Sequence, residues 1–371
     1  METKRNRIAI THGDMNGTGY EMILKSFEDP TMFELCTPIV YGSPKIADYY
    51  AGLLGIEANL FIINDANDAQ PNKLNIINCL GKDDVEITPG TPTPASGEAA
   101  LRAIERAVND YKAGKFDLLV TLPVNRGSMK AFNGHTSYLE SKFDNTAKGL
   151  SIIIGEDVRV ALVTNNLAVK DIAESITRQK IVEKGELFHQ ALRRDLRIST
   201  PRIAVLSLNP RCGEDGALGD EENDIIVPAI QELEEKGIQA FGPYAADNFF
   251  GNGDYIHFDG VLAMYHDQGL SPFKTLSPEW GVRFTSGLPI IRTAPACSAQ
   301  FDIAGRNQAL PDSLRHAIYV ATDALRDRVA YDEPYANPLP KLYHEKRDDS
   351  EKVRFRSSDE KQKQAPQAKN A

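Results

Sequence analysis

Groups that can move protons and hold anions crowd into one short stretch of this 371-residue chain. Met264-Tyr265-His266-Asp267-Gln268-Gly269 directly follows an apolar run, and Lys274 comes soon after. An imidazole, a carboxylate and an ammonium at the carboxyl end of a strand are hard to explain by packing alone. A second stretch, Gly134-His135-Thr136, sets an imidazole beside a hydroxyl in a loop. That pair suits a phosphate or a carboxylate; taken alone, it also reads as a surface histidine. Arg292 closes the run Leu288-Pro289-Ile290-Ile291, and its planar fork suits an anionic ligand or a structural ion pair. The string from Thr11 to Glu21 is glycine-rich. It serves as a tight turn or lets backbone N–H groups approach an anion at a helix N-terminus. Its spacing is not G-x-G-x-x-G, which disfavours a classical dinucleotide fingerprint.

Such groups need a scaffold, and the hydrophobic pattern supplies one. Short, mostly apolar runs at Arg7–Thr11, Pro38–Tyr41, Leu60–Ile63, Leu118–Thr121, Val158–Val163, Arg202–Ser207 and Gly260–Met264 read as strands buried on both faces. Helical patterns alternate with them: Ser96–Ala113 with Ser96 as N-cap, Gln179–Leu196 and Glu221–Lys236. The alternation is the α/β signature, and loops after strands are where such folds bind ligands.

Composition narrows the function. Forty-two Lys and Arg against 52 Asp and Glu give a net charge of −10, which argues against a surface built for nucleic acid or anionic lipid. Cys36, Cys79, Cys212 and Cys297 lie far apart and form no C-x-x-C pair, so they read as reduced thiols. No apolar run approaches the ~18 residues of a membrane span, and the charged N-terminus runs straight into an apolar strand. Both features imply a cytoplasmic protein. From Glu333 the chain turns Pro-rich and then charged, a composition expected to stay largely disordered.

Taken together, several strings in register resemble the 4-hydroxythreonine-4-phosphate dehydrogenase family of vitamin B6 biosynthesis. They are His12-Gly13-Asp14 through Glu21, Thr121–Gly127, Gly134-His135-Thr136, Leu208-Asn209-Pro210, Ala263–Gly269, Gly287–Thr293 and Asp302-Ile303-Ala304-Gly305, and they span about Arg7 to Ala330. The resemblance implies two α/β/α domains with a cleft between them, like the isocitrate and isopropylmalate dehydrogenases and unlike a classical Rossmann fold. Residues 1–130 with 305–332 would form the first domain, 131–304 the second with the dimer interface, and 333–371 the tail. It further implies a homodimer whose second subunit completes each site, with NAD or NADP as cofactor. The implied reaction oxidises 4-phosphooxy-L-threonine to a β-keto acid that loses carbon dioxide. On this resemblance His135, Thr136, Lys274, Arg283 and Arg292 fall on substrate-binding positions. Asp247, Asp267 and Lys274 fall on catalytic positions, and His266 on one of three metal-ligand histidines.

The chain departs from the family pattern inside the pocket. Asn166 and Arg211 stand where the family has its other two metal histidines, Arg283 stands in place of an asparagine, and Ala296-Cys297-Ser298-Ala299-Gln300 replaces Asp-His-Gly-Thr-Ala. An amide is a poor ligand for a borderline metal, and a guanidinium repels a dication. The expectation is therefore a very weak metal site or none, with Arg211 and Arg283 supplying fixed positive charge. Two alternatives stay open: a dehydrogenase of another four-carbon sugar-acid phosphate, and a metal-free paralogue that binds phosphorylated ligand without turnover.

Overall fold

The computed structural model describes residues 5–81, 86–130, 132–143 and 147–337. Among these residues twelve strands join in one mixed sheet. In chain order they are β1 Asn6–Thr11, β2 Cys36–Gly42, β3 Leu60–Ile63, β4 Leu74–Asn78, β5 Leu118–Thr121, β6 Leu150–Ile154, β7 Arg159–Leu162, β8 Arg202–Leu206, β9 Gln239–Tyr244, β10 Gly260–Ala263, β11 Val282–Ser286 and β12 Arg292–Pro295. Their spatial order is β3-β4-β2-β1-β5-β12-β11-β6-β7-β10-β8-β9. The pairs from β3 to β12 and from β7 to β9 are parallel, whereas β12–β11, β11–β6 and β6–β7 are antiparallel. Two parallel blocks thus meet at an antiparallel centre.

The strands buried by helices on both faces carry near-continuous apolar runs. Every residue of β2 is buried, as is every residue of β5 and β10. The seven strand assignments read from the sequence all fall on strands, within two residues at either end. The remaining five, β4, β6, β9, β11 and β12, are short or interrupted by polar residues. The apolar run Leu288–Ile291 leads into β12, which begins at Arg292.

Among the three helices read from the pattern, Pro94–Lys112 corrects the expected cap. Thr93 is the N-cap, and Ser96 is the third helical residue of a capping box in which each side chain bonds the other's backbone N–H. Proline at the first helical position sets the entry ahead of Ser96. The helix expected over Glu221–Lys236 begins with a π turn, Glu222–Ile226, before Val227–Glu235 becomes α-helical. The third helix spans Arg178–Arg194. The compact body ends at Asp332, and the tail expected after it lies outside the described residues from 338 onward.

The glycine-rich string after β1 resolves as a structural turn. Gly13 has φ +73°, and a Cβ there would sit 2.5 Å from the Pro123 carbonyl oxygen. Asp14 accepts hydrogen bonds from the Asn16 backbone N–H and from Ser96 Oγ, both at 3.0 Å. The turn therefore clamps the first residues of the helix at Pro94 against the segment leaving β5, which forms one wall of the cleft described next.

Candidate functional site

The sheet's antiparallel centre builds the floor of a cleft of about 760 Å³. Register puts Ser151 of β6, Thr285 of β11 and Arg292 of β12 in one row across three adjacent strands. Cross-strand partners share a face of the sheet. Arg292 is 4% exposed. Its Nε donates to Thr121 Oγ1 at the end of β5 at 2.8 Å, its Nη2 donates to the same oxygen, and its Nη1 reaches Thr285 Oγ1 at 3.4 Å. Thr285 Oγ1 in turn lies 3.3 Å from Thr136 Oγ1. Burial, with Arg283 nearby, lowers the Arg292 pKa to about 9, so the guanidinium remains cationic at neutral pH.

His135 opens the helix His135–Lys142 behind Gly134, whose φ of +110° turns the chain into the cleft. Its ring packs edge-on against Phe132 at 5.2 Å, and its buried Nε2 has no hydrogen-bond partner. Burial first, then the charges of Arg292, Arg283 and Arg126, hold its pKa well below the ordinary histidine range. The imidazole is therefore neutral at pH 7, with one ring nitrogen free for a ligand. Lys274 and His266 enter from the helix His266–Leu276 that follows β10, and Asn165 and Asn166 from the loop after β7.

The cleft thus gathers His135, Thr136, Lys274, Arg283, Arg292, His266 and Asn166. Three expected residues are placed elsewhere. Asp267 is exposed and its carboxylate lies 2.7 Å from Nδ1 of its own neighbour His266. Asp247 is exposed in the short helix Ala246–Gly251 and does not line the cleft of this chain. Arg211 points away into a 2.6 Å ion pair with Glu214. The sequence reading missed Arg126, Ser151 and Thr285. The signal available for Thr285 was alternation: Arg283 and Thr285 sit two apart on β11, on one face of a strand whose Phe284 faces the opposite way.

A divalent metal does not fit the residues at its expected place. With Arg211 turned outward, His266 supplies one imidazole and Asn166 one amide. Among the described residues, no group of three or more His, Cys, Asp or Glu could hold a metal ion. Structural and catalytic sites for a borderline metal need at least three good donors.

A cationic, hydroxyl-lined cleft at the carboxyl ends of parallel strands defines an α/β enzyme scaffold whose cleft is chemically suited to small anions. Comparison with known proteins names the family. The model described as "Pyridoxal phosphate biosynthetic protein PdxA" matches residues 34–321. A 4-hydroxythreonine-4-phosphate dehydrogenase of Bacteroides thetaiotaomicron is 52% identical over 97% of this chain and 100% of that protein. One from Sulfurihydrogenibium sp. is 34% identical over 85% of this chain and 97% of its own length. The crystal structure of 4-hydroxythreonine-4-phosphate dehydrogenase from Klebsiella pneumoniae superposes with a TM-score of 0.75 at 30% identity, covering 88% of this chain and 99% of that one. The chain belongs to the PdxA family.

Proposed function

We propose that this protein is an NAD-linked dehydrogenase of a small phosphorylated hydroxy acid, with 4-phosphooxy-L-threonine, oxidised to a β-keto acid that decarboxylates, as the first substrate to test. The observation that carries this reading is the buried guanidinium of Arg292, bonded among the described residues to hydroxyls and to no carboxylate, beside the Nε2 of a neutral His135 that is likewise without a partner among them. Charge-assisted bonds from such groups are strong when a phosphate completes them.

The chain's own residues divide the work. Arg292, Thr136 and His135 hold the phosphorylated end of the substrate against the floor. Lys274, the one ammonium among the described lining residues, hydrogen-bonds the oxygen that becomes the ketone while that oxygen's own proton leaves to solvent water, and gives a proton, regained from solvent, to the carbon that loses carbon dioxide. Asn165, Ser298 and Asp302 on the rim make no side-chain hydrogen bond among the described residues, and such amide, hydroxyl and carboxylate groups suit a ribose and a carboxamide. They would hold the nicotinamide cofactor, which supplies the hydride acceptor.

A homodimer is part of the same reading. With Asp247 and Asp267 outside the cleft of a single chain, a second copy is the route by which either of these two carboxylates would reach the reacting centre. No helix among the described residues is long and apolar enough to cross a membrane, in keeping with a cytoplasmic enzyme. The test is NADH formation from 4-phosphooxy-L-threonine by the purified protein, with and without a chelator. No NADH from this substrate, or from other four-carbon acid phosphates, would overturn the assignment.

A further inference from the structure

We propose that Arg283 and Arg126 form a second anion-binding element in the cleft, so that the protein selects an acid carrying a phosphate at one end and a carboxylate at the other and binds it without a divalent metal. This deepens the reading above and rests on the cleft being the substrate site.

Four cations, Arg126, Lys274, Arg283 and Arg292, line the cleft against a single carboxylate, Asp302. Among the described residues, none of the four forms a salt bridge. The three arginines act on the same imidazole, His135, and Arg126 and Arg283 act on each other, so the charges converge on one volume. Like charges held together in a partly desolvated site are costly unless an anion completes them. A phosphate dianion on Arg292, and the oxygen that becomes the ketone on Lys274, account for two of the four. Arg283 lies on the same face of β11 as Thr285, and Thr285 is bonded to Arg292. The second pair is therefore adjacent to the first but distinct from it.

The metal argument points the same way. The positions that would hold a dication supply too few donors, and Arg211 leaves the cleft for Glu214. Of the two arginines that replace family residues in the pocket, only Arg283 lines the cleft. Its charge cannot be chelated away, and its fork matches a carboxylate. A phosphorylated acid bound there has its carboxylate held by protein rather than by metal.

The experiment is calorimetric titration in EDTA with a matched pair: erythronate 4-phosphate, which has a carboxylate, and erythritol 4-phosphate, which has a hydroxymethyl group in its place. The acid is expected to bind at least about tenfold more tightly. Arg283→Asn should erase most of that preference while changing erythritol 4-phosphate affinity by less than about threefold. Arg126→Asn, at an exposed position, should reduce the preference at least about threefold and serves if the first variant does not fold. Equal affinity for the two compounds overturns the proposal. So does binding of neither, a preference that survives Arg283→Asn (or, failing that, Arg126→Asn), or binding of the acid that appears only when zinc or magnesium is added. NADH formation without the carboxylate preference sinks this inference and leaves the dehydrogenase standing; the preference without NADH formation from any substrate does the reverse.

Discussion

Arg292 Nε donates to Thr121 Oγ1 at 2.8 Å, with both residues buried where β5 and β12 run side by side. A threonine hydroxyl, not a carboxylate, is the anchor of a buried cation. This leaves the positive charge uncompensated and available to a ligand, while the hydroxyl fixes the plane of the fork. A carboxylate there would have neutralised the site before any substrate arrived.

Thr121→Val keeps the volume but removes the acceptor. The guanidinium then loses two of its bonds in a buried setting, which costs about 1–3 kcal/mol. Denaturant unfolding should show that loss, and phosphate binding by calorimetry should weaken along with it. Thr121→Ser, which retains the hydroxyl, should stay close to wild type in both measurements. Equal stability of the Val and Ser variants would mean that Arg292 finds another acceptor.

Acid should destabilise the fold through His12. The ring is fully buried, stacks on Tyr20 at 5.2 Å, and has its pKa lowered by burial from 6.5 to about 4. The unfolded chain therefore binds a proton below about pH 6.5 that the folded chain refuses until about pH 4, and stability falls as pH drops through that window. His12 alone contributes about 2 kcal/mol of loss between about pH 6.5 and pH 5. His135, lowered in the same direction, adds to it. His12→Gln, which cannot titrate, should flatten the dependence of unfolding free energy on pH in this range. An unchanged slope would place the acid sensitivity elsewhere.

How much of this was legible in the sequence depended on whether chemistry and pattern coincided. His135, Thr136, Lys274, Arg283, Arg292 and His266 stood out by residue type next to an apolar run or by their place in a family string, and the fold brings all six to one cleft. Ser151 and Thr285 did not stand out, because a hydroxyl inside a short strand looks like ordinary strand composition until register aligns it with an arginine. β11 and β12 were missed for a related reason: the polar faces that build the floor break the apolar run that marks a buried strand. The outward turn of Arg211 was hidden as well, since it depends on six consecutive residues with positive φ, Arg211 to Gly216.

Purified protein should carry well under one equivalent of divalent metal, measured by elemental analysis after gel filtration. Asn166→His adds a second imidazole, beside His266, at the position expected to hold a metal, and should raise zinc affinity by at least about tenfold in a competition titration with a chromophoric chelator. Arg211→His alone should leave zinc affinity unchanged, because position 211 faces Glu214 outside the cleft. A gain from Arg211→His equal to that from Asn166→His would mean that the turn at 211 reaches into the site.

That turn makes the last prediction. Arg211, Cys212, Gly213, Glu214 and Asp215 run through φ values of 51°, 55°, 75°, 44° and 55°, a left-handed stretch with four non-glycine residues. Each such residue costs about 1–2 kcal/mol, so something must hold the segment. Glu222 does so from the π turn: it is 2% exposed, and its Oε1 accepts from the backbone N–H groups of Leu208 at 2.7 Å and Asn209 at 2.8 Å. Its Oε2 accepts from Asn209 Nδ2 at 3.0 Å. Gly213 lets it approach, since a Cβ there would lie 2.7 Å from Glu222 Oε2. Glu222→Ala strands two part-buried backbone donors and should cost about 2–5 kcal/mol by denaturant unfolding. Glu222→Gln, which keeps one oxygen for those two donors, should cost clearly less. Asp215→Val, a β-branched residue forced to positive φ at an exposed site, should destabilise by about 1–2 kcal/mol, and Asp215→Gly should be neutral or slightly stabilising. Equal effects of Val and Gly at 215 would show that the left-handed path is not held, and would remove the reason for Arg211 to face Glu214.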